Sequence, residues 1–186
     1  FPAGSSMLLR HILDDCANVD EAVQKTKYGI LVPEDWQDCH FMVTDASGRS
    51  VVIAKCAVLG YGSWATAIVK TLTMNLHHVD WLVLNDDIRS SLLSRGRNSK
   101  YLPWCDIPRE LITPSADINE VVRDADIVVL AMPSAFMKKF LEPLTESLSN
   151  KIVVSVVKGI IPGDYLTIVE HMHRHYDVPM ENLCVV

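Results

Sequence analysis

The chain has 186 residues, 49% of them apolar, and a formal net charge of −6. Its length suffices for one good core, or for one domain with part of another. The negative charge argues against a nucleic-acid surface, which requires a basic face, and no apolar run approaches the roughly 20 residues of a membrane span.

The cysteines and the first residues indicate where the protein works. Five cysteines form an odd set without a C-x-x-C pair, which favours reduced thiols in the cytoplasm over a disulfide framework or a zinc site. The chain begins with Phe1 and shows no signal-like charged and apolar region. We therefore expect a cytoplasmic protein whose first residue is internal to a longer gene product.

Residues 1–54 predict a small α+β segment. The pattern is helical from Ser5 to Lys27, and "NVDEAVQ" is typical of a cap and acidic first turn that open a second helix. Two β runs, His40–Thr44 and Ser50–Ala54, are joined by the turn "DASG". This arrangement predicts a hairpin.

From Lys55 onward the pattern alternates between strand and helix. Runs such as "IVVLA" and "IVVSVV" are apolar at every position, as expected of parallel strands covered on both faces. The predicted fold of residues 55–186 is therefore α/β, a doubly wound parallel sheet of Rossmann-like type. The predicted strands are Cys56–Leu59, Val79–Leu84, Ile127–Ala131, Ile152–Val157 and Leu183–Val186, and the predicted helices are Trp64–Leu76, a short one within "SADINEVVRDAD", Ala135–Leu148 and Asp164–Tyr176.

The stretch "VLGYGSWATA" carries the first site prediction. Gly60, Gly62 and Ala65 have the G-x-G-x-x-A spacing of a strand-to-helix turn that holds a dinucleotide pyrophosphate. The glycines let the backbone approach the ligand, and the N–H groups that start the helix at Ser63 attract negative charge. The alternative is a tight turn that binds nothing.

Three further strand ends would lie at the same edge of the sheet. Asn85, Asp86 and Asp87 follow the second strand, where one carboxylate would bind the ribose 2′-hydroxyl of NAD; the alternative is a solvated turn. Pro133 follows "IVVLAM". Lys158 follows "KIVVSVV", where its ammonium could bind an anionic substrate or phosphate; the alternative is a surface charge.

The run His171-Met172-His173-Arg174-His175 raises the question of a metal. His171 and His175 share a helical face, but Glu170, the acidic residue next to the run, points elsewhere on the helix. We therefore predict no metal site.

Residues 56–186 resemble the amino-terminal half of bacterial glycerol-3-phosphate dehydrogenase. The resemblance rests on four motifs in that family's order and spacing, "VLGYGSWATA", "NSKYLP", "ADIVVLAMPS" and "VVKGI". It implies NAD(P)-dependent interconversion of dihydroxyacetone phosphate and sn-glycerol 3-phosphate. It also implies that Ser63 and Trp64 lie against the cofactor phosphates, Tyr101 near the cofactor, and Lys158 between cofactor and substrate.

Two departures from that family limit the prediction. The family often has Arg or His where this chain has Leu84-Asn85-Asp86, which leaves NAD and NADP both open. Its helical domain, with the Lys that protonates the nascent alkoxide, would begin just after Val186. We therefore assign no catalytic residue within these residues, and we expect weak cofactor binding without turnover.

Residues 1–54 more weakly resemble an internal piece of linear amide C–N hydrolases, through "LLRHILDDCANVDEAV" and "HFMVTDASGRSVVI". That family's nucleophile is an amino-terminal Cys, which is not present at Phe1, so no hydrolase activity is carried over. We expect a fusion of two incomplete pieces with a seam near Ala54-Lys55. The alternatives are a non-catalytic fragment or interaction module that forms homo-oligomers, and another Rossmann-type hydroxyacid dehydrogenase.

Overall fold

The computed structural model describes residues 16–21, 41–48, 50–74, 76 and 78–186. The chain divides into two compact units. The first comprises Phe1–Ala54 with Asn75–His77, and the second comprises Lys55–Met74 with His78–Val186.

The first unit contains the predicted hairpin. Strand β1 (Phe41–Thr44) pairs antiparallel with β2 (Ser50–Ile53). The turn closes through the Gly48 N–H, which donates to the Asp45 carbonyl at 3.0 Å. Gly48 has a φ of +83°, which glycine adopts without the cost that a side chain imposes. The hairpin prediction is confirmed, although His40 lies outside the described residues.

The predicted cap near residue 18 is also present. Residues 19–21 are helical, and the Asn18 Oδ1 accepts from the Glu21 N–H at 3.0 Å. The Glu21 carboxylate accepts in return from the Ala17 N–H at 2.8 Å. The rest of the predicted helical stretch, from Ser5 to Cys16 and beyond Glu21, lies almost entirely outside the described residues.

The second unit is a parallel sheet of six strands in the order β5-β4-β3-β6-β7-β8. The chain winds outward from the central β3 to β5, then returns to β6 beside β3 and winds the other way. This confirms the doubly wound fold and places the reversal of strand order between β3 and β6. The strands are β3 (Cys56–Leu59), β4 (Val79–Leu82), β5 (Ile112–Ser115), β6 (Ile127–Leu130), β7 (Ile152–Ser155) and β8 (Leu183–Val185).

Five α-helices of the second unit accompany this sheet, with short 3₁₀ turns between some of them. None of the helices in the described part of the chain is long and apolar enough to cross a membrane. The helices are α1 (Ser63–Leu72), α2 (Asp86–Arg95), α3 (Ile118–Arg123), α4 (Met137–Leu141) and α5 (Ile168–Tyr176), and the 3₁₀ turns are Arg109–Leu111, Ser134–Phe136 and Met180–Asn182.

The core explains the uniformly apolar strands. All four residues of β3 are buried, because β3 lies in the middle of the sheet with layers on both faces. A buried apolar cluster combines side chains of the strands with side chains from α3, α4 and α5. Its fully buried members include Ala57, Leu59, Leu82, Val122, Val128, Leu130, Met137, Val153 and Met172.

Three predicted helices are longer than the observed ones. Helix α4 ends at Leu141 rather than Leu148, because Pro143 follows and cannot donate a backbone hydrogen bond. Helix α5 begins at Ile168 rather than Asp164, because Thr167 and Glu170 form a capping box at its start. Helix α1 ends at Leu72, after which a Met74 N–H to Thr71 carbonyl bond tightens the chain.

Two elements were not predicted from the sequence. Strand β5 is short and contains Pro114, which an edge strand tolerates but which conceals a strand in a sequence. Helix α2 is weakly amphipathic, so apolar periodicity does not reveal it. Its cap signals were nevertheless present, with Asn85 before it and Gly96, at a φ of +66°, after it.

Candidate functional site

The reversal of strand order brings the ends of β3 and β6 together around Gly60. This glycine has a φ of +123°, and a Cβ there would lie 2.5 Å from the Ala131 carbonyl oxygen. Both features exclude any other residue without a shift of the backbone. Gly60 is therefore required by the protein's own packing.

Gly62 occupies a different environment. Its φ of −74° is available to every residue, and a Cβ there would meet nothing within 4 Å. Neither conformation nor packing within the chain therefore requires a glycine at this position. The missing side chain leaves open the space in front of α1.

The start of α1 lacks the polar groups that usually cover a helix N-terminus. Its N-cap, Gly62, provides no side-chain hydrogen bond, and its first turn contains no acidic residue. Helices α2, α3 and α5, by contrast, are capped by Asn85, Asp117 and Thr167. The positive end of α1 is thus uncovered, with Ser63 and Trp64 exposed beside it.

Two fully buried side chains hold this turn in place. The Trp81 Nε1–H donates to the Gly60 carbonyl at 2.6 Å. The Asn98 Nδ2 donates to the Tyr61 carbonyl at 2.9 Å and to the Thr66 hydroxyl at 2.8 Å. Trp81 and Asn98 are each 0% exposed. The turn is therefore fixed before any ligand arrives.

Asn98 also positions the predicted site residue Tyr101. Its Oδ1 accepts from the Tyr101 N–H at 3.0 Å and from the Lys100 N–H at 3.2 Å. Sequence reasoning did not select Asn98 as a site residue. The available signal was its place as the first residue of the motif "NSKYLP", which carries Tyr101.

The residues after β4 have roles within α2 itself. The Asn85 Oδ1 accepts from the Ile88 N–H at 3.0 Å and so caps the helix. Asp86 pairs with Arg89, whose other guanidinium nitrogen donates to the Val83 carbonyl at 2.8 Å. Asp86 and Asp87 are both exposed, and the expected contact of one of them with a ribose stays a prediction. The amide oxygen of Asn85 is already used by the helix.

The ends of β6 and β7 also adjoin. Pro133 is exposed and precedes the 3₁₀ turn that begins at Ser134. Lys158 is exposed and precedes Gly159, where a Cβ would lie 3.2 Å from the Ser134 Oγ. The strand exits that carry Pro133 and Lys158 are therefore neighbours, whereas Asp86 leaves from the other side of the reversal.

The buried cysteine of β3 has no role in the chemistry of this edge. Burial raises the pKa of the Cys56 thiol to about 12, and the nearby carboxylates of Asp80 and Asp126 add to the effect. A thiol with such a pKa remains protonated at neutral pH and is a poor nucleophile. Cys56 is therefore a small apolar residue of the core.

A second polar cluster lies between α4 and α5. Asp164, His171 and His175 each place one ligand atom within 4.8 Å of the others. The prediction of no metal depended on the absence of a nearby acidic ligand. Sequence reasoning missed Asp164 because it lies before the start of α5, where helical spacing does not apply.

A family model described as "NAD-dependent glycerol-3-phosphate dehydrogenase N-terminus" matches residues 55–186. Among curated relatives, the chain is 33% identical over 122 residues to glycerol-3-phosphate dehydrogenase [NAD(P)+] of Halalkalibacterium halodurans. It is 36% identical over 120 residues to the second such enzyme of Lactobacillus delbrueckii subsp. bulgaricus. These matches cover 65% and 63% of this chain and 35% of each relative.

Solved structures share the fold. A glycerol-3-phosphate dehydrogenase from Saccharomyces cerevisiae superposes with a TM-score of 0.62 at 21% identity, over 72% of this chain and 41% of that one. The Plasmodium falciparum enzyme gives the same TM-score and identity over 68% of this chain and 39% of that one. The chain thus spans only about 35% of the length of the curated relatives.

Proposed function

This chain belongs, through residues 55–186, to the family of NAD-dependent glycerol-3-phosphate dehydrogenase N-terminal domains, and on that premise we propose that its second unit binds NAD or NADP for such a dehydrogenase. The observation that supports the proposal is the contrast between Gly60 and Gly62 in the turn from β3 to α1, called the first turn below. Gly60 satisfies the protein's own packing, whereas Gly62 is required by no contact among the described residues and leaves the start of α1 without a side-chain cap.

The residues at this turn fit a dinucleotide pyrophosphate. A ligand can approach the backbone at Gly62 because no Cβ fills the space there. The N–H groups at the start of α1 can donate to phosphate oxygens, and the helix dipole favours their negative charge. We assign Ser63 and Trp64 to this part of the site, with Tyr101 held nearby by Asn98.

We assign the adenosine ribose to the region after β4. Asp86 and Asp87 supply carboxylates there, and carboxylates suit a ribose 2′-hydroxyl better than a 2′-phosphate. This favours NAD, while the names of the curated relatives include both cofactors.

The substrate pair that we propose is glycerol 3-phosphate and dihydroxyacetone phosphate. The nicotinamide ring of the cofactor supplies or accepts the hydride when it is bound. We place Pro133 and Lys158 at the nicotinamide end, since they leave the adjoining strands β6 and β7. The Lys158 ammonium provides positive charge toward an anionic substrate, and orientation of the reactants is the main contribution of such residues.

We propose a boundary between residues 54 and 55. It is supported by the division of the chain into two units and by a family match that begins at Lys55. The resemblance of residues 1–54 to amide hydrolases stays a prediction, as does a location in the cytoplasm.

A second candidate is an interaction module that self-associates. Several large apolar side chains of the second unit are exposed, among them Trp104 at 74% and Tyr165 at 80%. Such surface often contacts a partner. Light scattering distinguishes the candidates, because a monodisperse monomer would exclude a homo-oligomer.

Calorimetric titration with NADH, NADPH and ADP-ribose tests the proposed function. We expect saturable binding of NADH and of ADP-ribose, since both carry the pyrophosphate. The absence of saturable heat with all three ligands at millimolar concentration would refute the proposal. Binding of ADP-ribose alone would assign the pyrophosphate half and contradict the nicotinamide half.

A further inference from the structure

The second polar cluster combines three potential metal ligands from two segments. His171 and His175 lie one turn apart on α5, and their rings are 4.7 Å apart at the centroids. Asp164 comes from the loop before the helix. Its Oδ2 lies 3.4 Å from the His171 Nδ1 and 4.0 Å from the His175 Nε2.

These separations are close to those of a metal site. Zinc binds nitrogen and oxygen ligands at about 2.0 to 2.2 Å, so the ligand atoms of a tetrahedral site are about 3.3 to 3.5 Å apart. The Asp164 to His171 distance already has this value, the Asp164 to His175 distance is 4.0 Å, and all three ligand atoms lie within 4.8 Å of one another, so the exposed His175 side chain has to move inward to complete the site. Two imidazoles and one carboxylate form a ligand set that zinc accepts.

His171 provides an independent indication of a missing ligand. Its side chain is 5% exposed, and its Nδ1 makes no hydrogen bond of good geometry among the described residues, although the Asp164 Oδ2 lies 3.4 Å away. A buried polar atom without a partner is rare in folded proteins and requires an explanation. The unpartnered nitrogen faces Asp164, at the point that the two histidines and the carboxylate share.

A neighbouring lysine orients one of the three ligands. The Lys138 Nζ donates to the Asp164 Oδ1 at 2.7 Å, which orients the carboxylate and leaves Oδ2 for an ion. This contact lowers the pKa of Asp164, and burial, with the neighbouring His175, lowers the pKa of His171. The Asp164 Oδ2 therefore remains directed toward the two histidines.

We propose that Asp164, His171 and His175 form a binding site for a divalent transition ion of the zinc type. The ligand atoms are Asp164 Oδ2, His171 Nδ1 and His175 Nε2. The three line a cavity of about 380 Å³ together with Lys138 and Glu142. A fourth coordination position facing this cavity would hold water, as in zinc sites with three protein ligands.

Titration of the untagged, EDTA-treated 186-residue protein with Zn²⁺ tests the proposal. We expect one saturable site, and the Co²⁺ protein should give visible absorption bands without a sulfur-to-cobalt charge-transfer band. His175→Ala and Asp164→Asn should weaken Zn²⁺ binding by at least about tenfold, since even outer-shell changes cost that much.

His173→Gln is the matched control. His173 lies on the same helix, but its Nδ1 contacts the Val178 carbonyl at 2.9 Å rather than the cluster. This variant should bind Zn²⁺ like the wild type. His175→Ala removes a side chain that is 51% exposed, so circular dichroism should show an intact fold.

Four results would overturn the proposal. Three concern binding: no saturable Zn²⁺ binding by the wild type, binding that survives both His175→Ala and Asp164→Asn, and equal weakening by His173→Gln. A charge-transfer band from sulfur would also overturn it, because it would assign the ion to cysteine.

Discussion

Two strand-to-helix turns leave the same edge of the sheet and differ in what completes them. In the first turn, from β3 to α1, Gly60 and Gly62 leave the helix without a side-chain cap or an acidic first turn. In the second turn, from β4 to α2, Asn85 caps the helix and Asp86 and Asp87 lie in its first turn. The second turn caps its own helix, and the first leaves its helix without a side-chain cap, as the proposed pyrophosphate site requires.

This difference separates two kinds of site residue, those that build the turn and those that only leave space for a ligand. Residues that build the first turn, such as Gly60 and Asn98, should affect stability and binding together. A residue that only keeps space open, such as Gly62, should affect binding alone. Residues of the second turn should affect the stability of α2 more than ligand binding.

The largest effect is expected for Gly60→Ala. The new Cβ would meet the Ala131 carbonyl at 2.5 Å, in a conformation with a φ of +123°. Strain and overpacking together should lower the free energy of unfolding by at least about 3 kcal/mol. Urea denaturation measures the change, and a loss below about 1 kcal/mol would show that the turn is more adaptable than its packing indicates.

The next largest effect is expected for Asn98→Ala. The substitution leaves the Tyr61 carbonyl and the Tyr101 N–H without their partner at partly buried positions. Each unsatisfied group costs about 1 to 3 kcal/mol, so a total of about 2 to 4 kcal/mol is expected in urea denaturation. Asn182→Ala is the control, because its amide makes a single long contact of 3.5 Å to the Ser149 carbonyl. Equal effects of the two variants would remove Asn98 as the residue that holds the first turn.

How far the sequence predicts these roles depends on the range of the interactions. The glycine spacing and the uniformly apolar strands are local patterns, and they predicted the doubly wound sheet and the first turn. The role of Asn98 depends on contacts with Thr66 and Tyr61, which lie 32 and 37 positions earlier in the sequence, and no local pattern contains such contacts. Asp164 joins the two histidines only because the loop before α5 folds back, which helical spacing cannot show.

Gly62→Val separates ligand binding from stability. The new Cβ would enter open space, so the free energy of unfolding should fall by less than about 1 kcal/mol, the range of N-cap substitutions. The same side chain would fill the space proposed for the pyrophosphate, and we expect NADH to bind at least about tenfold more weakly, or about 1.4 kcal/mol. Ser90→Val on the exposed face of α2 is the control. Unchanged NADH affinity in Gly62→Val would remove the first turn from the proposed site.

Asn85→Ala should have the opposite pattern. Loss of the N-cap bond to the Ile88 N–H should lower the free energy of unfolding by about 1 kcal/mol. NADH affinity should change little, because the amide oxygen already belongs to the helix. Calorimetry and urea denaturation of the same preparation measure both quantities. A loss of affinity larger than the loss of stability would instead assign Asn85 to the ribose.

The smallest effect concerns the choice between NADH and NADPH. A carboxylate at the ribose would repel a doubly charged 2′-phosphate by about 1 kcal/mol at 8 Å in water, and salt reduces this value. Asp86→Asn or Asp87→Asn should therefore lower the ratio of the NADPH to the NADH dissociation constant by about two- to fivefold, and only the variant at the ribose should do so. Arg89 pairs with Asp86, so the Asp86→Asn substitution also frees the Arg89 guanidinium near the site. If neither substitution changes the ratio, the second turn contributes only to α2, and the contrast between the two turns becomes complete.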